Sequence, residues 1–312
     1  MYLRLVLPIV KGLLRGDRRS LARAISIVDN EESSSELIIH QIFNKTGNAR
    51  TVGFTGPGGA GKSSLISKLV AEFQNMGYRV AVLAVDPTSP ITGGAMLGDR
   101  VRMQGMLEDD RVFMRSIASR GAIGGISRSV RNVTRILDAA GYNLILIESV
   151  GVGQVEIELS KVVNLTLVIF TPHIGDNIQA VKAGLNEIGD IYVINKGDLE
   201  GATRLYNLIL DFVGTSGQNP AVMKVSAKTS TGITELAVTV KKLLKQDDKL
   251  QKEKEKRMLE LEIRDMVLNK IEQEVFALLD KDDHVYRLVD KLLKKEIDPY
   301  QAAEQLKDKV LR

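Results

Sequence analysis

A glycine-rich octapeptide carries the clearest chemistry in this sequence. Residues 56–63 read GPGGAGKS and match the spacing G-x-x-x-x-G-K-[ST]. Glycines allow positive backbone φ, so successive N–H groups of such a loop can converge on phosphate oxygens at the start of a helix. In that arrangement Lys62 reaches the β- and γ-phosphates and Ser63 ligates Mg²⁺. The predicted phosphate-binding residues are Gly58, Gly59, Ala60, Gly61, Lys62, Ser63 and Ser64.

The neighbouring elements are those that this motif requires. An apolar run from Thr51 to Thr55 predicts a buried strand before the loop, and the pattern from Ser64 to Phe73 predicts a helix after it. Further buried strands alternate with helices along the chain, which is typical of a parallel sheet. The sequence therefore predicts an α/β fold, a P-loop NTPase G domain with a mostly parallel central sheet flanked by helices.

Acidic residues at the ends of later predicted strands suit a magnesium site. Asp86 follows the run Arg79 to Val85, Glu148 ends the run Tyr142 to Glu148, and Asp99 lies in a glycine-rich charged segment. Ligands of open parallel sheets bind beyond the carboxyl ends of the strands, and Mg²⁺ prefers oxygen ligands. The predicted metal set is Ser63, Asp86, Asp99 and Glu148, and the predicted catalytic set is Lys62, Asp99 and Glu148.

Two segments have patterns typical of nucleotide-sensing loops. Gly151 follows Glu148 closely, so its N–H could sense the γ-phosphate. Residues 111–128 combine four arginines with glycines, which fits either a switch loop or a solvated connection. Val152 follows Gly151 where some GTPases place a water-orienting Gln, and Gln154 comes two positions later. We therefore expect slow intrinsic hydrolysis that a partner accelerates.

Two short motifs after later strands predict guanine recognition. Asn195-Lys196-Gly197-Asp198 follows the run Ile191 to Ile194, and Ser226-Ala227-Lys228 follows the run Val222 to Val225. The Asp198 carboxylate can accept from N1–H and the 2-amino group of guanine, and adenine offers neither donor there. The Lys196 stem can lie against the base, and the Ala227 N–H could donate to guanine O6. The predicted ligand is therefore GTP or GDP, bound by Asn195, Lys196, Asp198, Ser226, Ala227, Lys228 and Gly151.

Composition limits the remaining classes of function. The 312-residue chain contains no cysteine, which excludes disulfides and cysteine nucleophiles. Its net charge is +4, and basic and acidic residues are interspersed along the chain. The apolar start is short and is interrupted by Arg4 and Pro8, so neither a membrane span nor a cleavable signal is expected. We expect a cytoplasmic protein that binds neither nucleic acid nor membrane.

The two ends of the chain read as helical. In residues 1–47, Ser20 and the serines at 33–35 are candidate helix caps, and residues 48–245 form the predicted G domain. Residues 246–312 are rich in Lys, Glu, Leu and Ile, with apolar residues such as Leu268 and Ile271 spaced by three and four. Asp298 is a candidate cap for a later helix that begins with Pro299. The apolar seam needs cover, so we predict that this arm forms a homodimer.

With these motifs in place, the sequence resembles the MeaB/ArgK family of G-protein chaperones. The likeness rests on the phosphate loop, Asp86-Pro-Thr-Ser-Pro90, Leu97-Gly-Asp-Arg100, Glu148 to Gln154 and Asn195-Lys-Gly-Asp198. It implies a Mg²⁺-dependent GTPase that assists, protects and reactivates the adenosylcobalamin-dependent methylmalonyl-CoA mutase in trans. It also implies that residues 171–184 correspond to a segment called switch III, which transmits the nucleotide state to the mutase.

Other classes of function stay open from the residues alone. A nickel-insertion GTPase shares the nucleotide site but needs Cys or His ligands, and this chain has three His and no Cys. A kinase or ATPase of a lysine/arginine/ornithine transport system would need a phosphoryl acceptor. A pure interaction module would bind GTP without hydrolysing it. An ATPase of the deviant-loop class is disfavoured because Pro57, and no lysine, follows Gly56.

Overall fold

Parallel strands form the centre of this protein. The computed structural model describes residues 2–86, 109–118, 125–149, 154–172, 188–214, 220–245, 248–279 and 283–310. Within them lies a seven-stranded sheet in which every neighbouring pair is parallel, in the order β3-β2-β4-β1-β5-β6-β7. The strands are β1 (Arg50–Thr55), β2 (Val80–Asp86), β3 (Val112–Ala118), β4 (Leu144–Ser149), β5 (Leu165–Phe170), β6 (Ile191–Ile194) and β7 (Ala221–Lys224).

Helices cover the sheet, and we number those of the described residues in chain order. The predicted α/β fold with a flanked parallel sheet and helical ends is confirmed. The helices are α1 (Tyr2–Leu14), α2 (Arg18–Asp29), α3 (Ser35–Ile42), α4 (Lys62–Asn75), α5 (Gly125–Ala139), α6 (Gln154–Ser160), α7 (Ala202–Gly214), α8 (Ile233–Lys245), α9 (Asp248–Leu279), α10 (Asp283–Leu293) and α11 (Pro299–Val310), with a 3-10 turn at Phe43–Lys45.

Strand β4 shows why the central strands are continuously apolar. Leu144 and Leu146 pack in the core that contains α4 and α8, whereas Ile145 and Ile147 pack in the core that contains α1, α2 and α5. Successive side chains of a strand point to opposite faces, so a strand with helices on both faces has no solvated side. All strands share one direction, and their carboxyl ends, with the loops that follow, therefore meet at one edge of the sheet.

The start of α2 differs from the sequence prediction, whereas α3 begins within the predicted serines 33–35. Helix α2 is capped by Asp17, whose carboxylate accepts from the Ser20 N–H at 2.8 Å and from the Ser20 hydroxyl at 2.6 Å. Ser20 is thus a donor inside the first turn, and the prediction that it caps the helix is wrong. Ser34 is the N-cap residue of α3 and makes no side-chain cap hydrogen bond.

One strand was missed by sequence reasoning. Residues 111–128 were expected to be a switch loop or a connection, yet Val112–Ala118 forms β3 and pairs with all of β2. Phe113 and Ile117 are buried in the core, and the Arg115 guanidinium donates to Ser26 Oγ at 2.8 Å. The strand lies at the edge of the sheet, where a polar residue in the run is tolerated because it can reach a neighbouring helix.

Two compact units divide the chain, residues 1–255 and 256–312. In the first, Lys254 of α9 donates to the Asn164 carbonyl at 2.6 Å, and Glu255 pairs with Arg50. In the second, Asp298 accepts from the Gln301 N–H at 2.9 Å, which confirms the predicted cap of α11. The division into 1–47, 48–245 and 246–312 stays a prediction. Among the described residues no helix is both long enough and apolar enough to cross a membrane.

Candidate functional site

The loop between β1 and α4 has the backbone that its glycines predicted. Gly56, Gly59 and Gly61 have φ of 134°, 76° and 83°, and Gly61 is the left-handed residue at the start of α4. Lys62 is buried, and its Nζ donates to the carbonyls of Gly56 at 2.8 Å and Pro57 at 3.1 Å. The ammonium group therefore folds back onto the first two residues of the loop.

Packing explains two of these glycines independently of the ligand. A Cβ at Gly56 would lie 2.1 Å from the Ile169 carbonyl oxygen of β5, and one at Gly61 would lie 2.5 Å from Asn195 Nδ2. At Gly58 an added Cβ would meet no atom within 4 Å. The loop is thus pressed against β5 and Asn195 at its two ends, while its middle is open.

The predicted metal residues Ser63 and Glu148 are in contact. The Ser63 hydroxyl donates to Glu148 Oε1 at 2.7 Å, and both side chains are buried. The contact forms because β4 lies beside β1, with Glu148 opposite Phe54, so that the end of β4 faces the first turn of α4. A hydroxyl oxygen and a carboxylate oxygen this close together are metal ligands of the type that Mg²⁺ prefers.

Other predicted metal and sensing residues are only partly described. Asp86 is the last residue of β2, next to β4, and its side chain lies outside the described residues. Asp99, Gly151 and residues 173–184 of the predicted switch III segment lie entirely outside the described residues. The backbone of Asp86 therefore lies at the carboxyl edge of the sheet, as a magnesium ligand requires. The roles of Asp99 and Gly151 stay predictions.

Asn195 joins the phosphate loop to the loop after β7. Its Nδ2 donates to the Ala60 carbonyl at 2.9 Å, and its Oδ1 accepts from the Ala227 N–H at 3.2 Å. Lys196 has a left-handed backbone with φ of 56°, and its Nζ donates to the Gly59 carbonyl at 2.9 Å. Asn195 is fully buried, so both of its polar atoms are satisfied by backbone groups that it holds in place.

Asp198 stands at the rim of the same loops. Its carboxylate accepts from the Ser226 hydroxyl at 2.6 Å, and this bond is the main cause that lowers the pKa of Asp198 below its ordinary value. The carboxylate is therefore ionised at neutral pH. The Ala227 N–H, expected to be available for guanine O6, is engaged by Asn195 Oδ1 here. A guanine acceptor must therefore share or replace that bond.

Comparison with known proteins decides the family. The family model described as methylmalonyl Co-A mutase-associated GTPase MeaB matches residues 21–280. This chain belongs to the MeaB family. Members of the family are GTPases, so the protein is an enzyme that hydrolyses GTP.

Relatives and a solved structure agree with this assignment. A Pyrococcus horikoshii protein that is provisionally named a GTPase is 41% identical over 313 residues, which cover 97% of this chain and 98% of that protein. The GTPase ArgK of Escherichia coli is 34% identical over 239 residues, covering 73% of this chain and 72% of ArgK. The crystal structure of an LAO/AO transport system kinase covers 98% of both chains with a TM-score of 0.73 and 24% identity, which shows a shared fold.

Sequence reasoning overlooked two features of the site in this MeaB-family GTPase. The sequence analysis gave Gly197 no role, yet a Cβ there would lie 2.9 Å from the Val225 carbonyl oxygen. Its identity as glycine was the available signal. Under the phosphate loop, the buried Ser149 hydroxyl lies 3.2 Å from Thr55 Oγ1 and ties the ends of β4 and β1 together. Hydroxyls at the ends of apolar runs gave no distinguishing signal in the sequence.

Proposed function

We propose that this GTPase is a chaperone that assists assembly, protection and reactivation of an adenosylcobalamin-dependent methylmalonyl-CoA mutase, a separate protein. The family description, which names a mutase-associated GTPase, supports this client. The proposal that the protein binds a guanine nucleotide rests on one observation, the two hydrogen bonds of the Asn195 side chain. They hold the phosphate loop beside the loop that carries Ser226, the hydrogen-bond donor to Asp198. GTP hydrolysis is the timing step of the assistance.

The nucleotide contacts that we propose follow from this geometry. The amides of residues 58–64 and the Lys62 ammonium hold the phosphates, and Gly151 contacts the γ-phosphate. Asp198 accepts two hydrogen bonds from guanine, with Lys196 along the base and Ser226, Ala227 and Lys228 beside it. A phosphate oxygen competes with the Gly56 and Pro57 carbonyls for Lys62, so the lysine changes partners without leaving the loop.

We propose that Mg²⁺ binds with the nucleotide, held by Ser63, Asp86, Asp99 and Glu148 directly or through water. The Ser63 and Glu148 oxygens fit this ion, since they lie 2.7 Å apart at the carboxyl edge of the sheet. When bound, the metal neutralises phosphate charge that develops during hydrolysis. Lys62 supplies a second positive charge at the same place, and the loop amides position the triphosphate.

The chemistry is a phosphoryl transfer from GTP to water. The bond between the γ-phosphorus and the bridging oxygen breaks, water forms the new bond, and GDP and inorganic phosphate leave. Catalysis of this reaction depends on positioning and charge stabilisation. Without a water-orienting side chain next to Gly151, the intrinsic rate is low, below about 1 s⁻¹, and the client raises it.

The client is tested with purified components. GTP hydrolysis is measured with and without an adenosylcobalamin-dependent methylmalonyl-CoA mutase, and cofactor loading of that mutase is followed by absorbance. We expect faster hydrolysis in the presence of the mutase and loading that depends on GTP. Lys62→Ala is the matched control, since it removes the phosphate ligand and should abolish both effects. If neither rate responds to the other protein, the mutase is not the client.

The same material separates the GTPase chaperone from a transport-system kinase. With GTP labelled at the γ-phosphate, a chaperone releases the label as inorganic phosphate, whereas a kinase leaves it on a protein acceptor. We expect all label in the inorganic fraction. Label that stays on a protein and resists a chase with unlabelled GTP would favour the kinase.

We also propose that the protein is a homodimer. Helix α9 exposes Leu259, Ile263, Val267 and Ile271, which recur every four residues along one stripe of the helix. Such a stripe is typical of a helix that packs against another helix. A second copy of the chain offers the same stripe, as a two-fold interface requires. The cytoplasmic location stays a prediction from the sequence.

A further inference from the structure

A polar cavity lies at the edge of the sheet opposite the nucleotide loops. It measures about 480 Å³ and is formed by the end of α1, the start of α2, the residue before β2 and the turn after α5. Three arginines line it, namely Arg15, Arg18 and Arg79, together with Asp110 and Tyr142. A volume of this size accommodates a small ligand.

The arginines of the cavity are anchored to different degrees. The Arg79 guanidinium stacks on the Tyr142 ring at 4.9 Å and lies 3.4 Å from the Ala140 carbonyl oxygen. Arg18 donates to the Val112 carbonyl at 3.1 Å and pairs with Asp110 at 3.4 Å. Among the described residues Arg15 has no hydrogen-bond or ion-pair partner for its side chain. Each guanidinium carries five N–H donors, so anchoring leaves donors for a ligand.

Charge in the cavity is unbalanced. Three arginines and one acidic residue, Asp110, line the cavity; the Asp110 side chain is 97% exposed, and its one contact among the described residues is the 3.4 Å ion pair with Arg18. An ion pair of this kind neutralises little. Burial raises the pKa of the Tyr142 hydroxyl above its ordinary value, so this hydroxyl is protonated at neutral pH. The cavity wall therefore offers donors and positive charge together.

Capping of helix ends accounts for part of this arrangement only. Two carbonyls near the end of α1 have backbone partners, because Gly12 accepts from the N–H groups of Arg15 and Asp17, and Leu13 accepts from the Gly16 N–H. The turn after α5 is served by Arg79 through Ala140 and Gly141. Arg79 satisfies that end and Arg18 donates to the Val112 carbonyl at 3.1 Å, whereas no described backbone bond accounts for the side chain of Arg15.

We propose that this cavity binds a small anion that carries a phosphate group. The planar guanidinium fork matches phosphate oxygens in pairs, and two or three arginines around one cavity are the usual means of holding such a group. The site is separate from the nucleotide site, because the whole length of β2 and β4, about 20 Å at ~3.3 Å per residue, lies between them. It does not depend on the identity of the client.

The site is tested by calorimetric titration of inorganic phosphate at constant ionic strength. The full-length protein is first saturated with Mg²⁺ and a non-hydrolysable GTP analogue, which occupies the phosphate loop. We expect saturable one-to-one binding that falls roughly 10-fold or more in Arg15→Gln and in Arg79→Gln. Arg15 makes no described side-chain bond, so its variant keeps the test valid if Arg79→Gln fails to fold.

Arg23→Gln is the matched control. Arg23 is an exposed residue of α2 that does not line the cavity, and its variant loses the same charge. Unchanged binding in Arg23→Gln supports the site, and an equal loss in all variants overturns it in favour of general attraction. Absence of saturable binding in the unmodified protein overturns the proposed site as well.

Glycerol 3-phosphate is titrated in parallel. Tighter binding than that of inorganic phosphate identifies a phosphate ester as the ligand, whereas equal binding identifies the free ion.

Discussion

Asp198 is the residue that we propose selects the base. In the proposed complex its ionised carboxylate faces two donors of guanine, so Asp198→Asn replaces an acceptor by an amide whose NH₂ opposes them. We expect GTP affinity to fall at least about 100-fold, measured by displacement of a fluorescent guanine nucleotide. Xanthosine triphosphate, which has a carbonyl at C2, should bind the variant better than GTP does.

The xanthosine measurement is also the control for folding. A variant that binds xanthosine triphosphate has kept its phosphate loop and the Asn195 contacts, so weak GTP binding then reports the base contact alone. Equal affinity of the variant and the unmodified protein for GTP would show that Asp198 does not select guanine.

Glu148 is the residue that tests the magnesium proposal. Glu148→Gln keeps an oxygen for the Ser63 hydroxyl and removes the charge that attracts the metal. We expect the Mg²⁺ concentration for half-maximal hydrolysis to rise roughly 10-fold or more, with GDP binding in the absence of Mg²⁺ unchanged. Glu158→Gln is the control, because Glu158 pairs with Lys161 at the surface. A magnesium requirement that is identical in both variants would contradict the assignment.

At the residue scale, sequence spacing predicts which side chains meet but not how they are bonded. The pairing of Ser63 with Glu148 follows from two motifs that end at the same edge of the sheet. By contrast, the bond between Asn195 and the Ala227 N–H depends on how the loop after β6 is positioned against the loop after β7, which spacing along the sequence does not determine. The need for glycine at 197 likewise comes from the approach of Val225, which only the folded chain brings near.

The phosphate loop, as an element, is constrained by the strands and loops that it packs against. Gly56→Ala puts a Cβ 2.1 Å from the Ile169 carbonyl oxygen and forces φ of 134° on an L-residue, so β1 and β5 must separate. We expect a loss of about 2 kcal/mol or more in the free energy of unfolding, measured by urea denaturation. Gly58→Ala is the matched control in the same loop, since its Cβ meets open space, and its unfolding midpoint should not change.

At the element scale, the central strands were predictable and the edge strand was not. Strands β1, β4, β5 and β6 are buried on both faces, and an uninterrupted apolar run is the direct result. Strand β3 lies at the edge, where Arg115 and the buried Ser116 interrupt the run, and the Arg115 side chain donates to Ser26 of α2. The start of α2 differs from the prediction because Asp17, three residues before Ser20, accepts the hydrogen bonds that cap the helix.

At the scale of the whole molecule, the two proposed anion sites lie at opposite edges of the sheet. Its carboxyl edge gathers the phosphate loop, Glu148 and Asn195, and its amino edge gathers the arginines of the cavity. Both edges are joined by the same two strands, β2 and β4, which begin beside Arg79 and Tyr142 and end at Asp86 and Ser149. Ligands at the two edges can therefore bind independently without sharing a side chain.

The assembly of the molecule is tested on α9, whose apolar stripe determines whether one chain or two exist in solution. Ile263 is 64% exposed and Ile271 is 52% exposed, so a lysine at each position fits an isolated chain but is costly in an apolar interface. We expect the unmodified protein to sediment at twice the 34.3 kDa of one chain and the double variant Ile263→Lys, Ile271→Lys to sediment as a single chain.

Glu272→Lys is the matched control for this double variant. Residue 272 lies opposite residue 263 on the helix, so the substitution should leave the dimer intact. Intrinsic GTP hydrolysis should be the same in all three proteins, since no predicted nucleotide contact lies on α9. A double variant that still sediments as a dimer would show that this stripe is not the interface.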